Sequence, residues 1–216
     1  MRKKIAFLLA ALLLPPAFLF ACSSGGGQPE PPAPEPPVSQ SPAPESGAFT
    51  ITFDYVKQTG TASNQFAVWI EDMDGNLVRT LYATGFTANG GYKNRPDSIP
   101  LWVEKSGLAA MTKADVDTVT GATPRQGALS YEWDLTDKNG AVVPSGEYKF
   151  FVEGSLRWKN RVVYTGVVDI GGGAATVNGE AEYSYASSGG QPALSGDSPE
   201  NAMISGVTAE WKPAAY

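Results

Sequence analysis

An all-β fold of the antiparallel sandwich class, with one long loop excursion roomy enough for a short helix, is predicted over residues 48–216 by three observations. Apolar and polar residues alternate with the period of a strand: Phe49, Ile51, Phe53 and Tyr55 are interleaved with Thr50, Thr52 and Asp54. Alternating runs are joined at hairpin spacing by turn signals, Asp74-Gly75-Asn76 and Lys138-Asn139-Gly140. The length beyond residue 48, about 170 residues, suits one domain with a sizeable core.

The chain ahead of that domain has other work. Arg2, Lys3 and Lys4 precede an apolar run from Ile5 to Ala21, the basic start and short apolar centre of a secretory signal peptide over residues 1–21. Pro15 and Pro16 disfavour a stable spanning helix within it. Its end, Leu19-Phe20-Ala21-Cys22, resembles the bacterial lipobox, and Cys22 is the only cysteine of the chain. That resemblance implies diacylation of Cys22 and an extracytoplasmic protein anchored to a membrane by lipid. Ser23 follows the cysteine, so no aspartate stands there to argue for inner-membrane retention. The rest of residues 22–47 is rich in Pro, Gly, Ser and Glu, a composition that buries no core and reads as a disordered tether.

Within the domain the elements follow in order. Phe49–Tyr55, Gln65–Glu71 and Leu77–Tyr82 read as strands, expected to form a three-stranded meander. Ala83 to Pro100 carries Gly90-Gly91 and two prolines and reads as irregular; Leu101 to Met111 has room for a short helix. Ala128–Leu135, Glu147–Leu156 and Arg161–Ile170 read as further strands, and Gly171–Gly173 breaks the ladder. A weaker strand over Thr176–Tyr185 and a polar loop over Ala186–Asn201 precede a closing strand, Met203–Trp211.

Between the excursion and the second group of strands lies Asp117-Thr118-Val119-Thr120-Gly121-Ala122-Thr123, the one stretch whose residue order suggests chemistry. Gly121 and Ala122 leave the approach to the Thr123 hydroxyl almost free of side chains, and Pro124 biases Thr123 towards an extended backbone that carries the hydroxyl outward. The stretch resembles the signature on which secreted flavin transferases attach FMN: an aspartate, two variable residues, then Ser/Thr-Gly-Ala-Ser/Thr. The resemblance implies covalent FMN on Thr123, with Asp117, Thr120, Gly121 and Ala122 as the recognised frame. Thr118 stands where a small residue commonly follows the aspartate. Without that resemblance Thr-Gly-Ala-Thr-Pro is an ordinary loop, its threonines bonding local backbone. Trp102 and Tyr92, in the excursion before the motif, are the aromatic residues assigned to cover the isoalloxazine ring.

Tyr131-Glu132-Trp133-Asp134-Leu135, followed by Val143-Pro144-Ser145-Gly146-Glu147-Tyr148, resembles the Ig-like module of the flagellar hook-capping protein. This implies an Ig-like antiparallel β-sandwich and carries no flagellar function. Residues 48–216 as a whole resemble an exported bacterial family of unknown function with an Ig-like fold, often associated with membrane flavin and haem redox systems.

Composition removes several chemistries. The chain has no histidine, which excludes His-based triads, His-ligated zinc and His-held haem. Once Cys22 carries lipid no thiolate is left for Fe–S clusters, c-type haem or disulfides. Asp72/Asp74 and Asp134/Asp137 sit beside turn residues and read as hairpin carboxylates, so no metal site is expected. Loss of the signal's three basic residues leaves 13 basic against 22 acidic, a net charge of −9 that disfavours nucleic acid as a partner. The reading these observations favour is an electron carrier, not an enzyme, whose partners are the membrane, a flavin transferase and redox proteins. The alternative is an unmodified Ig-like binding or assembly lipoprotein of the envelope; a hydrolase lacks a recognisable nucleophile and base.

Overall fold

The computed structural model describes residues 46–59 and 64–214. The predicted signal peptide, Cys22 and the tether up to residue 45 lie outside the described residues. Ten strands form two sheets among the described residues. In chain order the strands are β1 (Gly47–Tyr55), β2 (Gln65–Asp72), β3 (Leu77–Thr84), β4 (Thr120–Gly121), β5 (Gly127–Trp133), β6 (Gly146–Arg157), β7 (Asn160–Ile170), β8 (Ala175–Asn178), β9 (Glu180–Ser184) and β10 (Ile204–Pro213). One sheet runs β5-β1-β10-β8, the other β4-β3-β2-β6-β7-β9, and every pairing is antiparallel except the short β3–β4 contact.

The alternation in β1 does what period two dictates: Phe49, Ile51, Phe53 and Tyr55 all point into the space between the sheets and are buried. They meet Phe66, Val68 and Ile70 of β2 and Phe150 and Val152 of β6 across that space. Edge-to-face ring pairs, Phe49–Trp133 at 5.8 Å and Phe53–Phe66 at 5.6 Å, tie the sheets together. Trp133 donates its indole N–H to the Thr136 carbonyl (2.8 Å) and packs on Tyr148, whose hydroxyl donates to the Pro144 carbonyl (2.7 Å). Thus the Trp-Asp and Pro-Ser-Gly-x-Tyr stretches are one packing unit at the crossing from β5 to β6.

Three expectations need correction. β1 to β3 are not a meander: β1 lies between β5 and β10 in one sheet, whereas β2 and β3 form a hairpin in the other. Alternation says which face of a strand is apolar, and two such faces are satisfied equally by facing each other across a core as by lying side by side. The span Thr176–Tyr185 is not one strand: it divides at Gly179 into β8 and β9, which join different sheets. Gly179 donates its N–H to the Val207 carbonyl (2.8 Å), and a Cβ there would press on Val207 at 3.1 Å, so the chain changes sheets at a residue where any side chain would require Val207 to shift.

The third correction concerns Ala83 to Pro100, expected to be irregular, which holds a short helix and a 3-10 turn; the short helix for which Leu101 to Met111 had room is present. The excursion holds α1 (Gly85–Ala88), α2 (Pro100–Ser106) and α3 (Lys113–Val119), with 3-10 turns at Gly91–Lys93 and Leu108–Ala110. These build a second core on the outer face of the larger sheet: Ile99, Trp102, Leu108 and Val116 pack against Ala67, Trp69 and Ala83. β2 is therefore buried on both faces, from Gln65 through Glu71. Two buried carboxylates of this sheet hold α2. Glu153, fully buried, accepts the Trp102 amide (2.8 Å) and the Leu101 amide (3.2 Å). Glu71 accepts Lys105 Nζ at 3.0 Å and the Trp69 indole N–H at 2.8 Å.

Candidate functional site

The segment 112–127 leaves the helical layer, touches the larger sheet and enters the smaller one. Thr112 opens α3 with a capping box, its Oγ1 accepting the Asp115 amide (3.2 Å) while Asp115 Oδ2 accepts the Thr112 amide (2.9 Å). Val116 is buried in the second core and fixes the rotation of the helix. Asp117, one residue on, consequently stands on the exposed side, paired with Lys113 Nζ at 2.8 Å. The helix ends as Thr120 and Gly121 lay down β4 beside Ala83 and Thr84.

Tyr82 holds the backbone just beyond the helix. Its hydroxyl donates to the Ala122 carbonyl at 2.8 Å, and its ring lies so close to Gly121 that a Cβ there would sit 2.7 Å from a ring carbon. Burial, with a smaller contribution from Tyr55, pushes the Tyr82 phenol up to about 12, so it stays protonated and remains a donor. Tyr131 packs on its ring with centroids 5.0 Å apart. Thr123 comes next, exposed, its hydroxyl without a hydrogen-bond partner among the described residues. Pro124 is half-buried, and Gly127 takes φ 131° as the chain turns into β5.

Of the residues singled out in the sequence, Thr120, Gly121, Ala122 and Thr123 form this clamped, outward-facing run, and Asp117 stands on the adjoining helix. Trp102 belongs elsewhere. It is fully buried in the second core with its indole N–H on Thr80 Oγ1 (3.1 Å), and offers no face to a surface ring. Tyr92, in the turn Gly91–Lys93, is half-buried against the same core. Tyr82 and Tyr131 carry no such signal: both read as ordinary members of alternating runs, and nothing in the residue order links either to the motif.

Beside the run opens a cleft of about 970 Å³. Leu81 and Arg79 of β3 form its floor, Ala110, Thr118 and Val119 of the helical layer one wall, and Glu132 of β5 the other. Arg79 is held within it by donating to the Asp137 carbonyl (2.7 Å), with Asp134 Oδ2 at 3.7 Å.

Residues 48–185 match the family model described as "Predicted periplasmic protein (DUF2271)". No curated protein and no solved structure matches the chain.

Proposed function

Because this chain belongs to the DUF2271 family of predicted periplasmic proteins, we propose that it is an extracytoplasmic flavoprotein, bearing FMN on Thr123 and passing electrons between redox partners at the membrane to which Cys22 anchors it. The observation that carries the reading is the Tyr82-clamped loop, which presents the Thr123 hydroxyl to solvent with no internal partner among the described residues. An acceptor for another enzyme has to enter that enzyme's active site, so it needs an exposed oxygen on a backbone that does not retreat. Thr123 meets both conditions. Gly121 and Ala122 add no bulk, and Asp117 on the exposed side of α3 is open to recognition.

The residues present therefore fit the group. Attachment would form a bond between Thr123 Oγ1 and the FMN-side phosphorus of a flavin dinucleotide, break the phosphoanhydride bond from that phosphorus to the bridging oxygen, and release the nucleoside monophosphate and the hydroxyl proton. Mg²⁺ in the transferase stabilises the charge on the phosphate. The bound flavin supplies the redox chemistry, and the chain positions it. Tyr82 keeps the attachment loop from collapsing inward, and the acyl chain and tether set the distance from the membrane.

Intact mass of the protein exported with a flavin transferase tests this directly. Wild type is expected to gain one FMN and to fluoresce on a denaturing gel; Thr123→Ala loses both, whereas Thr123→Ser retains some label. Chelation of Mg²⁺ during labelling abolishes the gain. An unlabelled wild type, or a labelled alanine variant, leaves the unmodified envelope module as the reading.

A further inference from the structure

We propose that the cleft beside the motif is the seat of the isoalloxazine ring, so that the flavin is held by this chain and not merely tethered to it; this rests on attachment at Thr123. The first end of the attachment segment is a wall of the cleft, and its other end leads into β5, which reaches the cleft at Glu132, five residues beyond Gly127. Thr118 and Val119, at the end of α3, line one side, and Glu132, on the strand the segment feeds, lines the other. Thr123 lies in the five residues between Gly121 and Gly127 that join β4 to β5. Three residues separate it from Val119, four Cα–Cα steps that span at most about 14 Å. The ribityl phosphate between Oγ1 and the ring covers a distance of that order.

The lining is mixed, with Asp115, Glu132 and Asp134 beside Arg79 and Lys138, and part of it suits the two ends of the ring. Leu81, Met111 and Val119 are apolar and suit the dimethylbenzene end, while Arg79 offers a guanidinium to the oxygens of the pyrimidine end. The volume, about 970 Å³, lies within the roughly 300–1,000 Å³ usual for ligand sites. The cleft uses neither Trp102 nor Tyr92.

Iodide quenching of flavin fluorescence on the full chain, solubilised in detergent and confirmed by mass to carry FMN, tests the seat. Ligand pockets bury about 70–90% of a ligand's surface, so the quenching constant of the folded protein is expected to be about three- to tenfold below that of the urea-unfolded protein. Ala110→Trp fills the cleft from an exposed position and is expected to raise quenching to the unfolded value and to lower flavin anisotropy, with the added mass and the far-UV spectrum unchanged. Ala109→Trp, exposed but outside the lining, is expected to change neither. Equal quenching in folded and unfolded wild type, or protection that survives Ala110→Trp, overturns the seat while attachment stands. Absence of the added mass overturns attachment and the seat with it.

Discussion

Gly121 has no room for a side chain, and the reason is Tyr82 rather than a special backbone angle. A Cβ would meet the Tyr82 ring at 2.7 Å, so Gly121→Ala is expected to lower stability by about 1–3 kcal/mol in urea unfolding, as overpacking does. Tyr82→Phe keeps the ring, deletes the bond to the Ala122 carbonyl and is expected to cost about 1 kcal/mol. Denaturation midpoints equal to wild type in both variants would contradict the clamp. Glu153 supplies a pH signature. Burial dominates over its amide and Arg161 contacts and raises its carboxyl from 4.5 to about 7. A raised pKa means the folded state binds the proton more tightly, so this contribution to stability is complete below about pH 4.5 and is lost as pH rises to about 7. Urea midpoints between pH 4 and 8 are expected to fall with rising pH in wild type and to flatten in Glu153→Gln; an equal slope in both removes Glu153 as the cause. At this scale the motif residues could be singled out because they are adjacent in the chain. Tyr82 and Glu153 could not, since their partners lie 40 positions and 51 positions away, at Ala122 and Trp102.

α3 is a helix of seven residues, too short to persist by propensity, and it stands on its capping box and on Val116. Thr112→Ala removes the cap and is expected to cost about 1 kcal/mol, read from the thermal midpoint; an unchanged midpoint would show the helix to be held by Val116 alone. Lys105, near the other end of the excursion, neutralises Glu71, which is almost completely buried while the lysine is about one-third exposed. Lys105→Ala is expected to cost about 1–3 kcal/mol, because a buried acceptor loses its charged donor, and the double variant with Glu71→Gln should recover part of that loss. The strands were readable because period-two alternation is strong and local. Of the helices of the excursion only α2, in the stretch that had room for one, was foreseen; α1 and α3 were not, being four and seven residues long, shorter than the window over which helical periodicity emerges.

Three layers share one sheet, and β2, buried on both faces, belongs to both cores. Loosening either core therefore disturbs the other, and the domain is expected to unfold as one unit. Trp102→Ala opens the second core and strips Thr80 of its indole partner; a loss of about 3–5 kcal/mol is expected, with near-UV and far-UV melting curves still coinciding. Separate transitions would show the helical layer to be an independent unit. The β-class and the turn positions were determined by the order of residues, because each depends on neighbours within about ten positions; the expected leader with Cys22 and the Thr123 motif are read from the same local order. The pairing of β1 with β5 and β10, the helical cover over the larger sheet, the burial of Trp102 and the cleft between α3 and β5 were decided by tertiary structure alone. An apolar face records that it must be covered but not by what, and that choice is made only when the whole chain competes to cover it.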